Sequence, residues 1–354
     1  MRAARYYGKG DIRVEDVGTP PVRQPDEVLL AVAFCGICGT DLHEYAVGPI
    51  VTPVSPHPLT GVTLPQTLGH EFSATVVEIG SAVRDVQVGD RVAIMPAIVC
   101  GRCRYCRRGQ GHLCVNFACT GLSAETGGLA QLAVVKEYQV AKLPDEVSDL
   151  EGAVIEPAAV AAYGVERAGV TGGDVVLVTG AGPIGILSAM YARAAGASTV
   201  IISEPNKNRS GLAEGLDIGH VVDPTSGALE DLVGEITGGD GVDLAVECSG
   251  STPGLASCIT QTRKRASIVQ TGLHTKPASL DAMALSEKDL TLYGSWCWNM
   301  TDWPRIIRLV ATGQYPVAKA VTSQIPLDDV VSKGFDTLID PQGDQLKVLV
   351  RADS

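Results

Sequence analysis

Apolar residues are arranged in two ways along this chain. Through residue 150 they form short Val/Ala/Ile-rich runs: EVLLAVAFCGIC (27–38), FSATVVEIG (72–80), DRVAIMPAIV (90–99) and LAQLAVVKEYQVAKLP (129–144), divided by Gly, Pro and Asp. Runs of this kind predict a β-rich region. From residue 174 the pattern changes. DVVLVTGAGPIGILSAMYARAAGASTVIISEP (174–205) reads as a strand, a glycine turn, a small-residue helix and a second strand, which is one βαβ unit. HVVDP (220–224), VDLAVECSG (242–250, after the helix pattern LEDLVGEITGG), RASIVQTG (265–272) and LTLYGSWCW (290–298) continue the series. These strands lack alternation, as expected of a parallel sheet covered on both faces.

After Asn299 come a helix pattern, TDWPRIIRLVATGQY, and a final strand, LKVLVRA. That tail is too short for a domain of its own, so it is expected to return to the N-terminal region. The chain's 354 residues exceed the ~250–300 at which single cores stop growing. Two domains are therefore predicted: 1–156 plus 299–354, with 157–298 inserted as an α/β doubly wound sheet. The Pro/Thr-rich stretch 47–67 is a long connection of the kind that often carries function, and its His57 is expected to face solvent.

Composition narrows the function classes. The net charge of −12 opposes a nucleic-acid partner, which needs a basic surface. Four arginines (Arg102, Arg104, Arg107, Arg108) read as solvated surface. No stretch approaches the ~20 uncharged apolar residues of a membrane span. The N-terminus lacks the apolar core of a secretory signal. A cytoplasmic location with no membrane partner is the expectation.

In a reducing compartment, clustered cysteines bind metal more often than they form disulfides. Cys100, Cys103, Cys106 and Cys114 are spaced C-x2-C-x2-C-x7-C. Four thiolates on a short loop close a tetrahedron around one zinc and leave no position for substrate, so this site is structural. An iron–sulfur cluster is the competing occupant, without a second cysteine run to accompany it.

GAGPIG follows a strand and opens a helix, the context that a dinucleotide fingerprint requires. Gly180, Gly182, Pro183, Ile184 and Gly185 are the candidate pyrophosphate cradle, with the helix N-terminus facing the phosphates. Glu204, nineteen residues past Gly185, is placed to accept from the ribose hydroxyls. It would repel a 2′-phosphate by ~4 kcal/mol at about 4 Å and an effective dielectric of ~20. That corresponds to nearly three powers of ten in favour of NAD over NADP. Arg209 and Lys207 lie just beyond and oppose part of that rejection. Cys248, Thr271 and Gly272 end later strands, where the nicotinamide half is expected.

CGICGTDLHEY, LGHEF and VIEPAAV bring Cys38, Thr40, Asp41, His43, Tyr45, His70, Glu71 and Glu156 into play. Cys, His and carboxylate on separate loops are the ligand mix of a catalytic zinc with one position open. Together with GDRV, the four-cysteine loop and GAGPIG, these motifs run in order over essentially the whole chain. The sequence resembles the zinc-dependent medium-chain alcohol dehydrogenases of the polyol branch. The long insertion before GHE and the SEP after the second strand are most similar to the 2,3-butanediol dehydrogenases.

The resemblance implies a GroES-like catalytic domain, NAD and two zinc ions per subunit. Cys38 and His70 would bind the catalytic zinc, and Glu71 and Glu156 would ligate it directly or through water. It further implies hydride transfer between NAD and a vicinal diol or hydroxyketone, as in 2,3-butanediol and acetoin. Zinc would acidify the substrate hydroxyl, and Thr40 and His43 would relay the proton through the ribose. Tyr45, Phe117 and Trp298 are candidate pocket walls by proximity to the motifs. Sorbitol-type and threonine-type dehydrogenases are the enzymatic alternatives. A non-catalytic dinucleotide-binding relative is the remote one, since fold alone does not fix function. A homodimer or homotetramer is expected.

Overall fold

A computed structural model of the chain describes residues 1–340 and 343–352. Two compact units result. Met1–Glu156, Asn299–Thr312 and Val321–Ser354 form the first, and Pro157–Trp298 with Gly313–Ala320 form the second.

The first unit is built on a seven-stranded sheet. Its spine is the strand Glu27–Gly36, which pairs antiparallel with Glu71–Ile79, Leu132–Lys136 and Lys347–Arg351. Val28, Leu30, Val32, Phe72, Val76, Ile94, Val348 and Phe335 make its core. The C-terminal strand belongs here because its Val348, Leu349 and Val350 are fully buried against that spine. Gly36 thereby pairs with Glu71 on one side and with Leu349 on the other, which brings Lys347 towards the end of the Glu71 strand.

The connection 47–67 is held at several points. The His57 imidazole is half-buried rather than solvent-facing: Nε2 donates to the Phe117 carbonyl at 3.2 Å, and Nδ1 accepts from Leu59 N at 3.2 Å. The peptide bonds Gly48–Pro49 and Leu64–Pro65 are cis.

The second unit carries a six-stranded parallel sheet. Its spatial order is His220–Val222, Thr199–Ser203, Val175–Thr179, Val242–Glu247, Thr262–Gln270, Thr291–Gly294. Counted along the sheet's own strands this is 3-2-1-4-5-6, the doubly wound order whose crevice opens where the strand order reverses. Val176, Leu177, Val178, Ile201 and Ile202 are buried, as two-sided coverage by helices demands. The apolar run 290–298 is a strand only over Thr291–Gly294. Cys297 breaks away with φ of +54°.

Helix Pro183–Ala194 starts from an extended Gly182 with proline in its first turn, where a missing N–H costs nothing. Residues 313–320 go with this unit rather than with the rest of the tail. The buried Tyr315 hydroxyl lies 3.2 Å from the Ala158 carbonyl and 3.0 Å from that of Leu187.

Candidate zinc and dinucleotide sites

On the loop 100–114, the Cys103 and Cys106 sulfurs are 3.4 Å apart and those of Cys100 and Cys106 3.9 Å. Tetrahedral zinc with Zn–S of ~2.3 Å needs sulfur–sulfur edges of about 3.8 Å, so these thiols already stand at ligand spacing. None is in a disulfide. Gly101 and Gly109, at φ of +67° and +74°, make the tight turns that let the sulfurs converge. Backbone N–H groups of Cys106 and Val115 pull the Cys103 thiol down to about 6, which favours the thiolate that metal requires.

The second cluster sits in the first unit. Cys38, His70 and Glu71 each offer a ligand atom within 4.8 Å of the others. Cys38 caps helix Gly39–Val47, and the Asp41 carboxylate accepts from Cys38 N at 3.0 Å. The other Asp41 oxygen lies 3.6 Å from His70 Nδ1, too far for a hydrogen bond, with both side chains buried, so its charge faces the imidazole. Glu71 is held by Lys347, whose ammonium donates to Oε2 at 2.6 Å and to the Ile37 carbonyl at 3.1 Å. Asp41's place beside His70 and the whole contribution of Lys347 escaped the sequence motifs. Lys347 lies 276 residues from Glu71 and carried no motif signal, although a lysine inside an apolar terminal strand was the visible anomaly.

Glu156 is buried, and its carboxylate makes no hydrogen bond or ion pair with another described residue. Desolvation lifts its pKa to about 8; His70 pulls it down and the Glu71 charge pushes it up. For His70, burial favours the neutral ring, yet Asp41 and Cys38 outweigh it and hold the imidazole well above its ordinary value. The His70 shift reports the negative charge gathered around the ring, whereas that of Glu156 comes first from its burial. A soft sulfur, an imidazole and an uncompensated buried carboxylate are the donor set that zinc fits.

Thr40 and His43 stand three apart on helix Gly39–Val47, so they neighbour each other on its surface; both are half-buried. The Tyr45 ring packs on Phe335, and its hydroxyl donates to Asp336 at 3.0 Å. Phe117 packs against the first unit's core, and Trp298 is buried in the second unit.

In the second unit the glycine turn has the required shape. Gly180 has φ of +90°, and a Cβ on it would lie 2.9 Å from Ser249. A Cβ on Gly185 would lie 1.8 Å from the Gly180 carbonyl, whereas one on Gly182 would meet nothing within 4 Å. Gly185 is therefore needed for packing, and Gly182 leaves its backbone open to a ligand. Glu204 is buried and closes the turn itself, accepting from Ala181 N at 2.7 Å and Asn206 N at 2.8 Å. Each oxygen keeps a further lone pair for a hydroxyl. Arg209 is half-buried one turn away, with its N–H bound to the Asn206 side chain. Cys248 and Thr271 meet at 3.1 Å, and Gly272 follows them at the carboxyl edge of the sheet.

Comparison with known proteins shows the family. Residues 24–145 match the alcohol dehydrogenase GroES-like domain, and residues 183–312 match the zinc-binding dehydrogenase domain. A (R,R)-butanediol dehydrogenase of Neisseria gonorrhoeae is 36% identical over 99% of both chains. The chain belongs to the zinc-dependent alcohol dehydrogenase family. It is an oxidoreductase with a GroES-like domain and a doubly wound dinucleotide-type domain. Among solved structures, 2R,3R-butanediol dehydrogenase from Bacillus subtilis superposes with a TM-score of 0.92 at 37% identity, covering 99% of each chain. A zinc-binding dehydrogenase from Sinorhizobium meliloti bound to NADP does so at 0.85 and 33%, covering 99% of this chain and 98% of that one. Among the described residues of this dehydrogenase, no helix is long and apolar enough to cross a membrane.

Proposed function

We propose that this dehydrogenase interconverts a vicinal diol and its hydroxyketone, with 2,3-butanediol and acetoin as the pair and NAD as the hydride carrier. The observation that carries the reading is the Cys38–His70–Glu71 donor cluster beside an uncompensated Glu156, in a chain whose full-length relatives include butanediol dehydrogenases. In this reading residues 1–156, 299–312 and 321–354 are the catalytic domain, and residues 157–298 with 313–320 are the domain that binds NAD. Cys38 and His70 hold one zinc together with a carboxylate. Lys347 occupies Glu71 Oε2 and leaves Oε1 for the cluster with Cys38 and His70, so Glu71 and Glu156 are the two carboxylates that would ligate directly or through water. Cys100, Cys103, Cys106 and Cys114 hold the structural zinc.

When bound, the catalytic zinc supplies Lewis acidity that favours the deprotonated hydroxyl of an alcohol and polarises a ketone. The protein's own groups orient and move protons around it. Asp41 turns its charge to the His70 ring, and Thr40 with His43 takes the released proton along the surface of helix Gly39–Val47, histidine being suited to exchange with solvent near neutrality. Gly180, Gly182, Pro183, Ile184 and Gly185 cradle the pyrophosphate, and Glu204 takes the adenosine ribose with Arg209 nearby. Cys248, Thr271 and Gly272 face the nicotinamide half. The enzyme acts in the cytoplasm as a homodimer or homotetramer.

Initial rates of NADH oxidation with acetoin, compared with NADPH and with fructose and 2-amino-3-ketobutyrate, test the reading. Fast NADH-dependent acetoin reduction is the expected result. Preference for either other ketone would move the substrate to the sorbitol or threonine type and keep the chemistry.

A further inference from the structure

Glu247 ends the strand Val242–Glu247 and is fully buried, yet nothing in the hydride-transfer reading uses it. Four donors converge on its carboxylate. Oε1 accepts from Ser249 N at 2.8 Å, from the Ser249 hydroxyl and from Gly250 N at 3.0 Å, while His274 Nε2 stands 3.2 Å from Oε2. Its backbone carbonyl accepts from Thr271 N and Gly272 N at 2.9 Å and from the Thr271 hydroxyl at 2.8 Å. One residue thus ties the loop after its own strand to the loop after the neighbouring strand.

The fit leaves little slack. A Cβ on Gly272 would lie 2.7 Å from Glu247 Oε2 and 2.4 Å from Gly250 N. On the other flank, Gly180 of the phosphate turn packs against Ser249, the residue that Oε1 holds. His274 is mostly buried and, with Thr271, Gly272 and Leu273, walls a cavity of about 740 Å³. These groups lie at the carboxyl ends of parallel strands on both sides of the strand-order reversal, Gly180 on one and Glu247 and Thr271 on the other, where doubly wound sheets take their ligands.

We propose that Glu247 is a positioning residue for the dinucleotide, setting the spacing between the phosphate turn, the loop 248–251 and the loop 271–274, with His274 as its outer anchor. The proposal rests on the NAD reading above. A glutamine there keeps one acceptor oxygen for Ser249 and Gly250. Its amide can donate to His274 once the imidazole takes its other tautomer, so the amide conserves the knot and an alanine removes it.

The experiment measures NADH affinity by fluorescence titration, with KM for NADH, kcat and zinc content, for the zinc-replete full chain and its Glu247→Ala, Glu247→Gln, His274→Ala and Ser249→Ala variants. Loosened loops are expected to raise the NADH Kd and KM about tenfold in Glu247→Ala and about threefold in His274→Ala, with kcat and zinc content held and Glu247→Gln near wild type. A merely structural role would lower the melting temperature and leave Kd and KM alone. Glu247→Ala binding NADH within twofold of wild type overturns the proposal. If that variant does not fold, His274→Ala and Ser249→Ala decide, and wild-type affinity in both overturns it equally. Wild-type enzyme that fails to bind NADH overturns the parent reading as well, whereas normal wild-type binding with unaffected variants removes only the role of Glu247.

Discussion

Replacing Lys347 by methionine keeps most of the side-chain volume and removes one charge. The Lys347 and Glu71 side chains are 2% and 1% exposed, so solvent screens neither and the remaining carboxylate stays buried. Breaking a buried pair from one side typically costs ~3–5 kcal/mol, because the other charge is left uncompensated. The lower end applies here, since the zinc proposed beside Glu71 would carry part of the compensation. About 3 kcal/mol in a folding unit of about 200 residues corresponds to a fall of roughly 6–12 °C in Tm. Thermal unfolding of the zinc-replete protein, followed by circular dichroism, reads this directly. The companion variant Glu71→Gln with Lys347→Met removes both charges and is expected to recover most of the loss, as paired replacements of buried ions do. A Lys347→Met protein that melts within about 3 °C of wild type, or a double variant less stable than the single one, would refute the reasoning. The double variant also separates roles: retained acetoin reduction would assign direct ligation to Glu156.

Cys103→Ser should cut zinc from two per chain to one, measured by inductively coupled plasma spectrometry, and lower Tm while the Cys38 site keeps its metal, because the four-sulfur loop has no spare donor. Gly182→Ala should leave Tm unchanged and weaken NADH binding, since its Cβ meets open space in the protein but would stand where the proposed cradle takes the pyrophosphate. Gly185→Ala should destabilise by about 1–3 kcal/mol or fail to fold, its Cβ being driven into the Gly180 carbonyl; chemical denaturation distinguishes the two. Glu204→Gln should narrow the NADH-over-NADPH preference in kcat/KM by up to about a thousandfold, the charge repulsion it removes being worth ~4 kcal/mol. An unchanged ratio would mean that the Glu204 carboxylate, already bonded to Ala181 N and Asn206 N, serves the turn alone.

The sequence by itself determined whatever is local or periodic. The switch from short β runs to βαβ units at about residue 174, the C-x2-C-x2-C-x7-C loop and the strand–GAGPIG–helix order were all legible, because spacing along the chain controls which atoms can meet across one turn or one loop. Cys38, His70, Glu71 and Glu156 were legible as ligand types on their motifs. Their electrostatic surroundings were not. Asp41 turning one oxygen to Cys38 N and the other to His70, and Lys347 reaching Glu71 from the last strand, depend on strand pairing of Gly36 with both Glu71 and Leu349. His57 misled for the same reason: a loop histidine shows no sequence sign of the Phe117 carbonyl that its half-buried ring meets. Residues 313–320 followed Tyr315, whose hydroxyl partners lie 128 and 157 residues away. Long-range partners of buried polar groups are chosen by register and packing, and burial without such a partner is costly and therefore rare. Tertiary structure therefore decided which charges are balanced, which stay uncompensated, and where the knot around Glu247 draws two loops together.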